Sequence, residues 1–131
     1  MEVIFSAAWA KRFSSKWNSS TEIVSQLAAA EFDSVVAFGY IDHPLPEVIF
    51  EINHGRIIHS DQYASGTDLV PAWDLRANLA QWEKWRGNGP GISGLGVAVA
   101  SRQLQFMVGD YRKMIRQPLL AGPFLKFFSF L

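Results

Sequence analysis

From Gln103 to Asp110 the chain alternates, Gln103-Leu-Gln-Phe-Met-Val-Gly-Asp110, inside the most apolar third of the sequence. A Gly-spaced apolar segment, Gly89 to Ala100, precedes this run. A charged amphipathic piece, Tyr111 to Gln117, and an aromatic tail, Pro123-Phe-Leu-Lys-Phe-Phe-Ser-Phe-Leu131, follow it. The alternation puts Leu104, Phe106 and Val108 on one face of a strand, stopped by Gly109-Asp110. In the tail, Phe124, Phe127, Phe128 and Leu131 follow helical spacing while Phe130 lies off that stripe. Such a segment packs into a core, closes over an apolar cavity as a lid, or touches a membrane. The whole stretch from Asn88 to Leu131 has no obvious nucleophile, metal ligand or proton shuttle, so it suits holding an apolar molecule better than transforming one.

Charged residues make up 18% of the 131 positions and hydrophobic residues 49%, with aromatics at 14%; soluble domains carry about 25% charge. The surplus requires a large core, an internal cavity or an exposed patch. The length fits one domain, residues 1–131. Twelve basic and twelve acidic residues cancel, with no long run of either sign. That balance gives no electrostatic footprint for nucleic acid and no polybasic segment for anionic lipid. Cysteine is absent, which removes disulfides, thiolate metal sites and thiol catalysis and fits a reducing compartment. The acidic start, Met1-Glu-Val-Ile-Phe-Ser, is no signal peptide. No segment offers about 20 apolar residues to span a bilayer. Ser129-Phe-Leu131 lacks the basic residue of a Ser-Lys-Leu address. A cytoplasmic location is expected.

Ile4, Phe5, Ala8, Trp9, Phe13 and Trp17 recur at helical steps, and Ser20 or Thr21 caps a second helix carrying Ile23, Val24 and Leu27. Three strands follow: Val35–Ile41, Glu47–Asn53 after a proline turn, and Arg56–Ser60 after the tight turn His54-Gly55. Asp61 to Gly66 is a polar loop. Ala72–Ala77 is a fourth strand with Trp73, Leu75 and Ala77 inward. Asn78 caps a helix at 79–86, whose Leu79, Trp82 and Trp85 or Arg86 share a side. Ile92–Ala100 is apolar all round and predicts a helix packed closely against a neighbour. Pro118 breaks the helix after the fifth strand, and Pro123 opens the last one. This is α+β: a five-stranded, mainly antiparallel sheet covered on one face by about five helices.

Gly89-Pro-Gly-Ile-Ser-Gly94 matches G-x-G-x-x-G, but the segment before it is charged and helical rather than a buried strand, so a turn into a close-packed helix explains it better. Ser93 lacks the last glycine of a nucleophile elbow. His43, His54 and His59 fall in turns or near a strand end, with no metal-ligand spacing. Asp74 and Arg76 share a strand face, as a surface pair or as a polar anchor in an apolar site. Tyr111, Arg112 and Lys113 form a solvated helix face or a basic spot for a headgroup.

The order of these elements, with Leu104, Phe106, Val108, Gly109 and Asp110 leading into the closing apolar helix, resembles the sterol carrier protein type 2 family. The resemblance spans roughly Thr21 to Leu131, and Ile4 to Trp17 also looks like the first helix of bacterial versions. Arg102 and Gln103 stand where the family carries Gly-Lys. The resemblance implies a sheet and helices around an apolar tunnel for sterols, fatty acids or acyl-CoA, with no catalytic residues, cofactor or metal to carry over. It places ligand contacts on the inward sheet faces and on helices 79–86, 92–100 and 123–131: Phe50, Trp73, Leu75, Trp82, Trp85, Ile92, Leu95, Val99, Phe106, Phe124, Phe127 and Phe128.

A carrier of a hydrophobic small molecule, without nucleic-acid partners and with transient membrane contact through the C-terminal aromatic helix, accounts for the apolar surplus and the missing reactive groups. The alternatives are a small cyclase or isomerase acting on a bound polyketide or steroid, with Asp74 or Tyr40 moving the proton, and an accessory module docking through an aromatic patch. Neither the ligand nor the oligomeric state follows from the residues.

Overall fold

The computed structural model describes residues 2–63 and 69–131. In chain order the elements are α1 (Ala7–Ser19), α2 (Thr21–Ala29), β1 (Ser34–Tyr40), β2 (Val48–Asn53), β3 (Arg56–Gln62), β4 (Trp73–Ala77), α3 (Leu79–Gly87), α4 (Gly91–Ala100), β5 (Gln105–Val108), α5 (Tyr111–Arg116) and α6 (Pro118–Lys126), closed by a 3₁₀ turn, Phe127–Phe130. Local chemistry sets most boundaries. Asn78 accepts from the Gln81 amide at 2.8 Å and Asp110 from the Arg112 amide at 2.9 Å, each satisfying an orphan donor of a first turn. Helix α1 starts three residues later than the apolar spacing predicts. Ser6 is its cap, and Phe5 before it is left-handed at φ 66°, turning its ring into the core. The expected loop Asp61 to Gly66 begins as the end of β3, and its residues 64–66 lie outside the described residues.

The sheet order is β3-β2-β1-β4-β5. Three of its pairings are antiparallel, and β1 pairs with β4 in parallel, Phe38 opposite Leu75. The fold is α+β as expected, with a mixed sheet. The parallel pair arises because the chain leaves the far edge at β3 and returns beside β1 from the other side.

Val36, Phe38, Val48, Phe50, Trp73 and Leu75 face the helices. There the ring of Phe13 lies 5.1 Å from Phe50, and Phe127 stacks on Phe38 at 5.2 Å. Such pairs contribute about 0.5–1.5 kcal/mol each beyond burial. The buried indoles keep their hydrogen bonds: Trp9 donates to Leu131 O at 3.0 Å, Trp17 to Gly55 O at 2.9 Å and Trp82 to Gly39 O at 2.9 Å. On the opposite sheet face, Arg76 is clamped on Asp74 by bonds of 2.6 and 2.9 Å and donates at 2.7 Å to His43 O. Its stem crosses β1 at Gly39, where an added Cβ would lie 3.2 Å from Arg76 Cδ and 3.0 Å from Pro46 Cα.

The last third departs furthest from what its local pattern predicts. Pro123 sits inside α6, and Pro118 is the proline that opens it. The carbonyl of Leu119, four residues before Pro123, loses its helical donor, at a position that is exposed. Helix α4 buries Leu95 and Ala98 yet leaves Ile92 61% and Val97 65% exposed, so it is not covered all round. On β5, an edge strand whose register against β4 shifts between Asp74 and Leu75, Val108 turns outward.

Candidate functional site

The inner face of β1 and β4 meets α1, α2, α5 and α6 without filling the space between them. Trp17, Leu27, Phe32, Val36, Phe38, Trp73, Leu75, Met114, Leu120, Pro123, Phe124 and Phe127 line a cavity of about 50 Å³. None of these side chains ionises, so the lining offers apolar contact and no acid, base or nucleophile. Large rings border the gap on both sides. Trp73 lies 6.2 Å from Phe106, Phe106 stacks on Phe124 at 5.6 Å, and Phe124 meets Phe127 edge-on at 5.2 Å.

Trp73, Leu75, Phe124 and Phe127 of the twelve expected contacts line this cavity, and Phe106 backs it. Phe50, Trp82, Trp85, Leu95 and Phe128 are buried elsewhere in the core, Phe50 against Phe13 and Trp85 against Phe128 at 5.4 Å. Val99 is half-buried, and Ile92 points to solvent because it falls on the outer face of α4. Sequence reasoning missed the contribution of the first two helices and α5: Trp17, Leu27 and Met114. Their helical spacing marks them as buried but does not say which wall they complete.

The walls are unequal. The 3₁₀ turn is deeply fixed: Phe127, Phe128, Phe130 and Leu131 are buried, and Leu131 O accepts from Arg12 at 2.7 Å and Arg86 at 2.9 Å besides Trp9. The seam between α2 and α6 contains one unpartnered polar atom. Gly122 approaches Gln26 so closely that a Cβ would lie 2.8 Å from Oε1, and that buried oxygen has no hydrogen-bond partner among the described residues. An orphaned buried acceptor costs about 1–3 kcal/mol.

The proton-transfer candidates lie elsewhere. Asp74 is buried on the opposite sheet face in its ion pair with Arg76, neither a surface pair nor an anchor in the cavity. Tyr40 faces an open depression with Ile41, Asp42, His43, Asn78 and Leu79. Burial, then the charges of Glu47 and Glu83, raise its phenol above the ordinary 10.0 and keep it neutral. His43 Nδ1 is 2.6 Å from Glu47 Oε1 beside it. No group of three metal-binding side chains is present among the described residues. No helix among them is long and apolar enough to cross a membrane.

No family model and no curated protein sequence matches the chain. Solved structures do. A crystal structure of sterol carrier protein 2 superposes with a TM-score of 0.68 at 20% identity, covering 96% of this chain and 97% of its own. A conserved hypothetical protein of Thermus thermophilus, described as a possible sterol carrier protein, gives 0.65 at 20% identity, with 98% and 88% covered. The ubiquinone synthesis protein UbiJ-SCP2 gives 0.60 at 11% identity over 94% of this chain and 87% of that one. The resemblance first carried by Gln103 to Asp110 thus holds across the tertiary structure: the chain has the sterol carrier protein 2 fold.

Proposed function

We propose that the protein, as one unit over residues 1–131, binds and carries a hydrophobic small molecule such as a fatty acid, an acyl-CoA or a sterol. The observation that carries this reading is the cavity lined entirely by non-ionising side chains within a fold shared with sterol carrier protein 2. At about 50 Å³ the cavity is a closed form, well below the roughly 300–1,000 Å³ of a lipid-sized pocket. Loading therefore requires α5 and α6 to move outward from α2, at the seam that already holds an orphaned acceptor, while the 3₁₀ turn stays anchored. An expanded minor state that a ligand makes dominant is ordinary population shift. The likeness to a ubiquinone synthesis protein supports a second form of the same reading, in which the bound lipid is presented to an enzyme. A cyclase or isomerase is disfavoured, because neither Asp74 nor Tyr40 reaches the cavity.

Titration with the fluorescent fatty acid cis-parinaric acid tests the proposal. Trp17 and Trp73 line the cavity, so energy transfer from tryptophan to the polyene rises and saturates at about one ligand per chain. Replacing Leu120 by Trp fills the space and abolishes the saturable signal while the fold persists. No saturable change with parinaric acid, acyl-CoA or a fluorescent sterol overturns the reading.

A further inference from the structure

A polar side chain occupies an inward position on one of the helices that wall the cavity. On α2, Ile23 and Leu27 are buried, and Gln26 shares their stripe, one helical step after Ile23 and next to Leu27. An apolar residue would close that position. Gln26 instead buries its Oε1, and no donor among the described residues reaches it. Folded proteins satisfy the large majority of their buried acceptors, so one left open beside a cavity calls for an occupant.

Helix α6 leaves room for that oxygen at one residue. Opposite Gln26 stands Gly122, where an added Cβ would lie 2.8 Å from Oε1, 3.8 Å from Cδ and 4.0 Å from Nε2. The carbonyl end of the amide is therefore the part that meets the glycine, and any side chain there would displace it. Both partners adjoin the cavity in the chain. Leu27 follows Gln26, Leu120 and Pro123 bracket Gly122, and all three line it. The acceptor thus lies in the seam beside an apolar chamber, where α6 parts from α2 to admit a ligand.

We infer that Gln26 Oε1 is the seat for the hydroxyl of a lipid alcohol, whose apolar body fills the cavity. This inference rests on the carrier reading and narrows its ligand. A hydroxyl supplies the donor that the oxygen lacks, and it carries no charge. A carboxylate has no proton to give at neutral pH, and it would bring a charge beside a lining that holds no cation. An ester or an ether only accepts, and leaves Oε1 orphaned. Discrimination of this kind is strong where the protein's polar group is buried, because the wrong ligand leaves it unpaired. A fatty acid still fills the cavity with its chain but gains nothing from Gln26.

Displacement of bound cis-parinaric acid tests it with three competitors of nearly equal length: dodecanol, undecyl methyl ether and dodecanoic acid. The alcohol and the ether have the same number of heavy atoms and differ in the donor. The wild type is expected to prefer the alcohol over both others by on the order of tenfold. Gln26→Met removes that preference while parinaric acid still binds. Gln62→Met, which changes an exposed glutamine of β3, keeps it. Melting curves verify that both variants fold, and the wild-type ratio of alcohol to ether decides by itself if Gln26→Met does not. A wild-type ratio near one, a tighter grip on dodecanoic acid than on the alcohol, or a preference that survives Gln26→Met overturns the hydroxyl seat. Parinaric acid binding without a preference for the alcohol removes the seat alone. No saturable parinaric signal in the wild type removes the carrier reading and the seat with it.

Discussion

Asp74 and Arg76 show how far a two-residue spacing reaches. Period-two alternation puts them on one strand face, and that much is legible in Trp73-Asp-Leu-Arg-Ala77. Their burial is not, because it depends on the chain at Tyr40 to Glu47 folding over Gly39. Removing one partner of such a pair leaves a buried charge uncompensated, so Asp74→Ala is expected to lose about 3–5 kcal/mol in urea unfolding. The double change Asp74→Ala/Arg76→Met should recover part of it; a double variant no better than the single contradicts the account. At the chain's other pole Glu2 bonds Arg12 and faces Arg86, and the Arg12 bond is the main cause holding its carboxyl below the usual 4.5. A depressed folded pKa stabilises above the unfolded value, and the contribution is lost as pH falls through the folded one. Glu2→Gln should therefore lower the melting temperature near neutrality, where the contribution is fully present, and converge with the wild type as the pH falls below about 4.5.

At the scale of elements, helices and strands were largely readable, because caps, turns and apolar spacing are local. Asn78, Asp110 and His54-Gly55 mark boundaries that the structure keeps. Pro123 misled, since proline's preference for a first turn is a tendency and Pro118 already occupies that place. The unequal walls of the cavity lead to two expectations. Hydrogen exchange should open α5 and α6 well before β1 and the amides of the closing 3₁₀ turn; the reverse order would contradict a movable α6 wall. Gln26→Met should stabilise the closed protein by about 1 kcal/mol by removing the orphaned acceptor, and slow parinaric acid uptake in stopped flow. Faster uptake in that variant would place the opening elsewhere.

For the whole molecule, a ligand bound only by the folded state raises stability in proportion to the logarithm of its concentration, about 2.7 kcal/mol at a hundred times Kd. A fatty acid that loads the cavity should raise the melting temperature in that way. Native mass spectrometry of the purified protein should show the mass of a copurified lipid.

Residue pattern alone dictates the α+β class, most element boundaries, the inward faces of β2 and β4, and a large buried apolar surface with no reactive cluster. These follow from periodicity, capping and composition, which act within a few residues. Long-range packing was needed to set β4 parallel to β1, to make the aromatic tail part of the core, and to wall the cavity with Trp17, Leu27 and Met114 as well as the sheet. Each of these depends on which distant segments meet, and local spacing does not select that.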